Sequence, residues 1–250
     1  MKKINLLLLS TMLLSLPIIA QELTATEIID KADKKNRGET NQGTMIMKIV
    51  RPDWERTVEM KSWSKGDDFF LIYITAPAKD NGQVFLKRYK EMWNWVPSIE
   101  RMIKIPPSMM MQSWMGSDFT NDDLVKQSSI VKDYAHTLIG EETIRGQECF
   151  KIELVPYPDA PVVWGKIISW VTKDGYNLWK SEYYDEDDFL INIQNASDIK
   201  GFGDRQLPSV MEIIPADEPE KKTVLIIKES IFNKPIDDGF FTQQNMKRVR

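Results

Sequence analysis

The chain has 250 residues, with 33 basic and 37 acidic side chains, a formal net charge of −4 and one histidine. The two signs are interspersed rather than gathered into a basic face, which argues against nucleic acid as a partner. Its only cysteine, Cys149, excludes an intrachain disulfide, so stability must come from packing.

The first twenty residues read as a secretory signal peptide. Lys2 and Lys3 give a positive start, Leu6 to Leu16 is an apolar run, Pro17 breaks it, and Ile18-Ile19-Ala20 ends in a small residue. Cleavage is expected after Ala20, and no cysteine near the site would take a lipid anchor. The expected product is one exported domain, residues 21–250, with a formal charge of −6 once Lys2 and Lys3 are gone.

In "LTATEIIDKADKKNRGET" Thr24 or Thr26 can cap a helix, with Glu27 in its first turn, Ile28, Ile29 and Ala32 on one apolar face, and Gly38 near its stop. Strands follow. "TMIMKIV" (44–50), "RTVEMKSW" (56–63) and "DFFLIYIT" (68–75) are β-type runs separated by the turns "RPDW" and "SKGD". "GQVFLKRY" and "EMWNWV" continue the series as a hairpin around Lys90-Glu91. Further on, "HTLIGEETIRGQECFKIELVPY" turns at Arg145–Gly146. The stretch 165–200 gives three strands with turns at 173–175 and 185–188, and "LPSVMEIIPADEPEKKTVLIIKESIF" is a last hairpin. The tail, "IDDGFFTQQNMKRV", suits a short helix capped by Asp237 or Asp238. Direct turns with no βαβ alternation predict an antiparallel meander.

One stretch breaks the rhythm, from about Pro97 to Tyr134. Within it "SMMMQSWMGSDF" places Met109, Met110, Met111, Trp114, Met115 and Phe119 at recurring offsets of three and four, which predicts a short helix with an oily face. Pro106-Pro107 would start it and Gly116 stop it. "SDFTNDDLVKQ" then predicts a second helix capped by Asp118 or Thr120, with Asp122-Asp123 in its first turn. Five of the eleven methionines left after signal removal lie within residues 102–115. An unbranched thioether repacks against varied apolar shapes, so such a cluster suits a plastic greasy surface. It equally suits a core plug.

Other chemistry is thinly supported. His136 has no second histidine for a zinc site and no G-x-S-x-G partner for a triad. Asp185 to Asp188 lacks calcium-loop spacing and reads as a solvated turn. Asp118, Asp122 and Asp123 could in principle pair as acid and base, but helix capping accounts for them. Trp93 and Trp95, two apart on one strand face, could stack a sugar, line a greasy cavity or pack in the core.

The segment "YKEMWNWVPSIERMIKIPPSMMMQSWMGSDFTNDDL" resembles the outer-membrane lipoprotein-sorting (LolA-like) proteins, in a larger branch of that family. Trp93, Trp95, Pro97 and Arg101 followed by "KIPP" and "SWMGSDFTNDDL" are its most specific part. The resemblance implies a mainly β fold with short helices, a strongly curved antiparallel half-barrel over a hydrophobic cavity closed by lid helices. It implies a periplasmic carrier, without catalysis or cofactor. Such a carrier, expected here as a monomer, takes a lipoprotein or lipid from an inner-membrane transporter to an outer-membrane acceptor. The residues expected to bind lipid or form the lid are Trp93, Trp95, Ile103, Met109, Met110, Met111, Trp114, Met115 and Phe119. In the short carrier of the family an early-strand arginine holds the lid, a role that could fall here to Arg51 or Arg56. Two other roles fit the sequence, a non-carrying accessory subunit of a transporter and a periplasmic glycan or lipid hydrolase.

Overall fold

A computed structural model describes residues 23–123 and 129–250. The expected signal peptide and the continuation of the second expected lid helix past Asp123 lie outside the described residues.

The chain opens with helix α1 (Ala25–Arg37), whose start is a reciprocal cap. The Thr24 hydroxyl accepts from the Glu27 amide while the Glu27 carboxylate accepts from the Thr24 amide, and Gly38 stops the helix with φ +67°. Ile28, Ile29 and Ala32 are buried, as their spacing predicts.

Six strands follow: β1 (Thr40–Arg51), β2 (Trp54–Lys65), β3 (Phe69–Ala76), β4 (Val84–Arg88), β5 (Glu91–Val96) and β6 (Arg101–Ile105). After a long connection come β7 (Tyr134–Ile144), β8 (Gln147–Pro156), β9 (Lys166–Thr172), β10 (Leu178–Tyr184), β11 (Leu190–Phe202), β12 (Arg205–Pro215) and β13 (Lys222–Phe232). A short helix α2 (Gln243–Met246) closes the chain.

All thirteen strands form one antiparallel sheet in the order β6-β5-β4-β3-β2-β1-β13-β12-β11-β10-β9-β8-β7. The chain therefore walks outward from β1 to one edge, β6, and restarts at the opposite edge, β7. It then walks back until β13 pairs with β1. The two edges do not pair, so the curved sheet stays open. This topology obliges the connection between β6 and β7 to traverse the sheet, and that connection holds the methionine-rich stretch.

Alternation along the strands sorts side chains onto two faces. On the face that the connection crosses, the core gathers Met47 and Ile49, Val58 and Met60, Phe70, Ile72 and Ile74, Phe85, Met92, Ile213 and Leu225. Under α1 on the other half of the sheet, Ile152, Leu154, Ile167 and Val171 pack against Ile28 and Ile29. The opposite face of β3 to β5 carries Phe69, Leu71, Tyr73, Leu86 and Trp93, covered by Phe241, Met246 and Val249 of the C-terminal segment. "FFLIYI" is apolar at every position because both of its faces are covered.

Candidate functional site

The stretch predicted as a helix over Met109–Met115 is a closed loop instead. Pro106 and Pro107 set a 3-10 turn (Pro107–Met109), held by Met109 N–H to Pro106 O at 3.0 Å and Met110 N–H to Pro107 O at 3.0 Å. The α-ladder does not propagate because Ser113 is extended (φ −53°, ψ 123°) and Met115 has φ +53°. A second 3-10 turn (Trp114–Gly116) then reverses the chain, with Gly116 at φ +78°. The two arms hydrogen-bond each other: Trp114 N–H to Phe119 O at 2.8 Å, Asn121 N–H to Gln112 O at 2.9 Å and Asp122 N–H to Met110 O at 3.2 Å. The Asn121 side chain adds a bond to Met109 O at 2.8 Å. At the far end the expected cap is present. The Thr120 hydroxyl accepts from the Asp123 amide, and the Asp123 carboxylate accepts from the Thr120 amide.

Self-bonding of the backbone leaves the side chains to do the covering. Trp114, 1 % exposed, lies against Phe85 with ring centroids 5.1 Å apart, and Met110 and Phe119 are buried in the same cluster. Met109 and Met115 pack at its margin, whereas Met111 points outward at 50 % exposure. Ile103 shares the crossed face, since it pairs with Asn94 two positions from the Met92–Ile105 pair, but it is exposed. Trp93 and Trp95 do not join this surface. They alternate with Met92 and Asn94, so the period of two turns them to the opposite face against the C-terminal segment. The expected grouping of nine residues is corrected to five that meet on one face, one at its edge, one turned outward and two behind the sheet.

Arginines of β1 and β2 fasten the loop to the sheet. Arg51 grips Asp118 through both guanidinium nitrogens, Nη1 to Oδ2 at 3.0 Å and Nη2 to Oδ1 at 2.9 Å, and Nη2 also donates to Gly116 O at 3.3 Å. The Thr223 hydroxyl donates to Asp118 Oδ2 at 2.7 Å and accepts from the Asp118 amide at 3.0 Å. Arg56 donates to Met115 O at 3.1 Å and to the Asp80 carboxylate. Sequence reasoning left open which arginine holds the segment. Both do, from successive strands, and the signal that could have found this is their flanking of the β1–β2 turn beneath the "MGSD" corner.

Beyond that corner the crossed face becomes polar. Asp123 is partly buried beside Asp122 and Tyr183, and desolvation raises its carboxyl to about 6 despite hydrogen bonds from Thr120 and from Trp164 Nε1 (3.1 Å). Burial likewise raises the phenols of Tyr134 and Tyr183. Lys87, on the same face of β4 as Phe85, is pushed down to about 8 chiefly by burial, and its ammonium donates to Asp67 O. The Trp114 indole N–H is buried without an acceptor among the described residues. A cleft of about 810 Å³ lies elsewhere, between the end of α1 and the β9–β10 and β11–β12 turns, lined by Lys35, Asn177, Trp179 and Arg205. No local motif or spacing marks it, because its lining comes from residues distant in the chain.

The remaining sequence candidates have structural roles. His136 on β7 shares hydrogen bonds with Thr26 Oγ1 (3.1 Å) and Ile130 O (2.7 Å). Asp185 caps its own hairpin turn through the Asp187 and Phe189 amides. Cys149 is fully buried, and burial raises its thiol.

A protein-family model described as "Uncharacterized protein"-like matches residues 66–248. No curated protein matches the sequence. Among solved structures, a DUF1329 family protein from Desulfovibrio piger is similar with a TM-score of 0.82 and 23% identity, over 89% of this chain and 97% of its own. A putative outer membrane lipoprotein-sorting protein domain from Vibrio parahaemolyticus gives 0.79 and 22%, over 90% of this chain and 98% of its own. The LolA superfamily protein NE2245 from Nitrosomonas europaea gives 0.78 and 22%, over 90% of this chain and 100% of its own.

Proposed function

We propose that this chain, which belongs to the family matched over residues 66–248 and has the fold of the LolA superfamily, is a periplasmic carrier of acyl-bearing cargo. In this reading the Met109–Phe119 loop is the lid, and an acyl chain takes its place on the crossed face of the sheet. A lipoprotein or lipid would be received from an inner-membrane donor and passed to an outer-membrane acceptor.

The observation that carries the reading is how the loop is fastened. Its backbone is satisfied largely by itself, so it can move as a unit, and few polar contacts (Arg51, Arg56, Thr223) tie it to the sheet. Burial of Met110, Trp114 and Phe119 contributes on the order of 6–8 kcal/mol gross. One long acyl chain, at roughly 0.8 kcal/mol per methylene, offers on the order of 10 kcal/mol. The two are close enough for exchange to be reversible, as loading and release require. The Trp114 indole N–H, buried without an acceptor among the described residues, costs the closed form about 1–3 kcal/mol, which favours displacement further.

Uptake of a pyrene-labelled phospholipid from vesicles tests this. The carrier takes it up stoichiometrically, and Met110→Ser with Phe119→Ser reduces uptake in a protein that still folds. A second reading, a non-carrying accessory subunit, is favoured by the dense packing of Trp114 on Phe85. It requires no uptake at all.

A further inference from the structure

The antiparallel walk places six turns at one end of the sheet: 52–53 between β1 and β2, 77–83 between β3 and β4, 97–100 between β5 and β6, 157–165 between β8 and β9, 185–189 between β10 and β11, and 216–221 between β12 and β13. Register fixes their adjacency. Arg51 Nη1 donates to Lys222 O, the Ala216 amide to Ile191 O, and the Gly165 amide to Tyr184 O, so successive turns are stitched side by side. Exposed apolar side chains stand on four of them or at their margins: Trp54 at 51 %, Ile99 at 57 %, Tyr157 at 52 % and Phe189 at 67 %. Phe189 sits at the end of a tight turn whose backbone Asp185 holds, so the ring is presented rather than loosely disposed.

The same end is strongly acidic. The six turns hold eleven carboxylates (four in "DEDDF", three in "ADEPEK") against Lys79 and Lys221. Arg51, Arg101, Lys166 and Lys222 border them, and Asp80, Asp188 and Glu218 are ion-paired, which still leaves the rim net acidic. The opposite end mixes its signs, with Lys90, Arg145 and Lys173 among Asp67, Asp68, Asp174 and Asp204. Apolar tips alone would suit a bilayer surface. An acidic surround is repelled by anionic lipid and attracts a basic protein surface.

We propose that this rim is a docking face for a partner protein presenting a Lys/Arg-rich surface with apolar recesses for Trp54 and Phe189. Aromatic anchors amid charge of one sign give the desolvated centre and the steering that specific, salt-sensitive association needs. The inference deepens the carrier reading, on which it rests for the need of a partner, by assigning the surface and the chemistry it recognises. Arg51 lies with its guanidinium 5.8 Å from the Trp54 ring while gripping Asp118, so the face adjoins the lid corner.

The test places a photo-crosslinking p-benzoylphenylalanine at Trp54, at Phe189 or, on the opposite end, at Tyr89, in the full-length protein in its native cell. Expected is one shared membrane-protein adduct from positions 54 and 189, joined through a Lys/Arg-rich segment, and none from position 89. Glu186→Lys with Asp187→Lys and Glu220→Lys lowers the adduct yield about ten-fold or more, while partner-independent uptake of pyrene-labelled phospholipid from vesicles by the same purified variant is unchanged. Adducts to lipid, equal yield from position 89, no adduct, or indifference to charge reversal would each overturn the proposal. So would binding to phosphatidylethanolamine/phosphatidylglycerol vesicles that Trp54→Ala and Phe189→Ala abolish. Failure of the carrier reading registers separately, as absence of lipid from the unaltered protein.

Discussion

Arg51 and Asp118 are joined by two parallel hydrogen bonds of 3.0 and 2.9 Å, both side chains largely buried, so that the first strand of the sheet holds the corner of a loop 67 residues further on. Removing one partner of such a pair strands the other charge in a poorly hydrated place. Arg51→Ala should lower unfolding free energy by about 3 kcal/mol. Arg51→Lys should fall between, because an ammonium keeps the charge but not the fork. Amide exchange should quicken across residues 109–122 and not across β1 and β2. Equal acceleration in both would mean that the pair supports the sheet rather than the loop.

The loop's own side chains divide by orientation. Trp114→Ala should cost about 3–5 kcal/mol in urea unfolding. Met111→Ala, three residues away and half exposed, should change stability by less than about 0.5 kcal/mol. Comparable losses at the two positions would contradict the described loop.

The helix predicted over Met109–Met115 shows where local reading stops. Offsets of three and four among Met110, Met111, Trp114 and Met115 fit a helix, but they also arise when a chain turns twice within ten residues, Pro107 to Gly116. Nothing local reveals that Trp114 N–H will meet Phe119 O. By contrast, α1 was legible because Thr24, Glu27 and Gly38 carry its caps within its own sequence. The strands were legible from alternation and turn residues. Sheet order was not, since the β13–β1 pairing joins residues more than 170 positions apart. Trp93 and Trp95 were placed on one strand face correctly. Which face that would be depended on the C-terminal Phe241, far away in sequence.

Acid should act on Asp123. Burial raises its carboxyl from 3.8 to about 6, so the folded chain keeps this proton at pH values where the unfolded chain has lost it. The group's contribution is most favourable below pH about 4 and is lost as pH rises through about 6, a change of about 3 kcal/mol. Asp123→Asn removes that dependence. Its stability relative to the unaltered protein should rise from pH 4 to 6.5 and then level off, measured by denaturant titration at each pH. A difference independent of pH would show that Asp123 titrates as an ordinary carboxyl.

The two sheet faces should also separate stability from uptake. Phe241, fully buried and stacked on Phe69 at 5.2 Å, covers the face away from the loop. Phe241→Ala should cost about 3 kcal/mol while leaving pyrene-lipid uptake per folded molecule unchanged. Trp95→Ser should likewise spare uptake. Loss of uptake in either, with the fold intact, would place the cargo on the wrong side of the sheet for this account.

The central claim, that an acyl chain exchanges with the Met109–Phe119 loop, is tested most directly by native mass spectrometry of the exported protein purified without detergent, followed by extraction of whatever is bound. A reproducible acyl-bearing adduct is expected, and it should disappear when Met110→Ser is combined with Trp114→Gln in a protein that still unfolds cooperatively. A bare protein mass, with no uptake from vesicles or detergent-solubilised lipoprotein, would contradict it and leave the docking subunit as the reading.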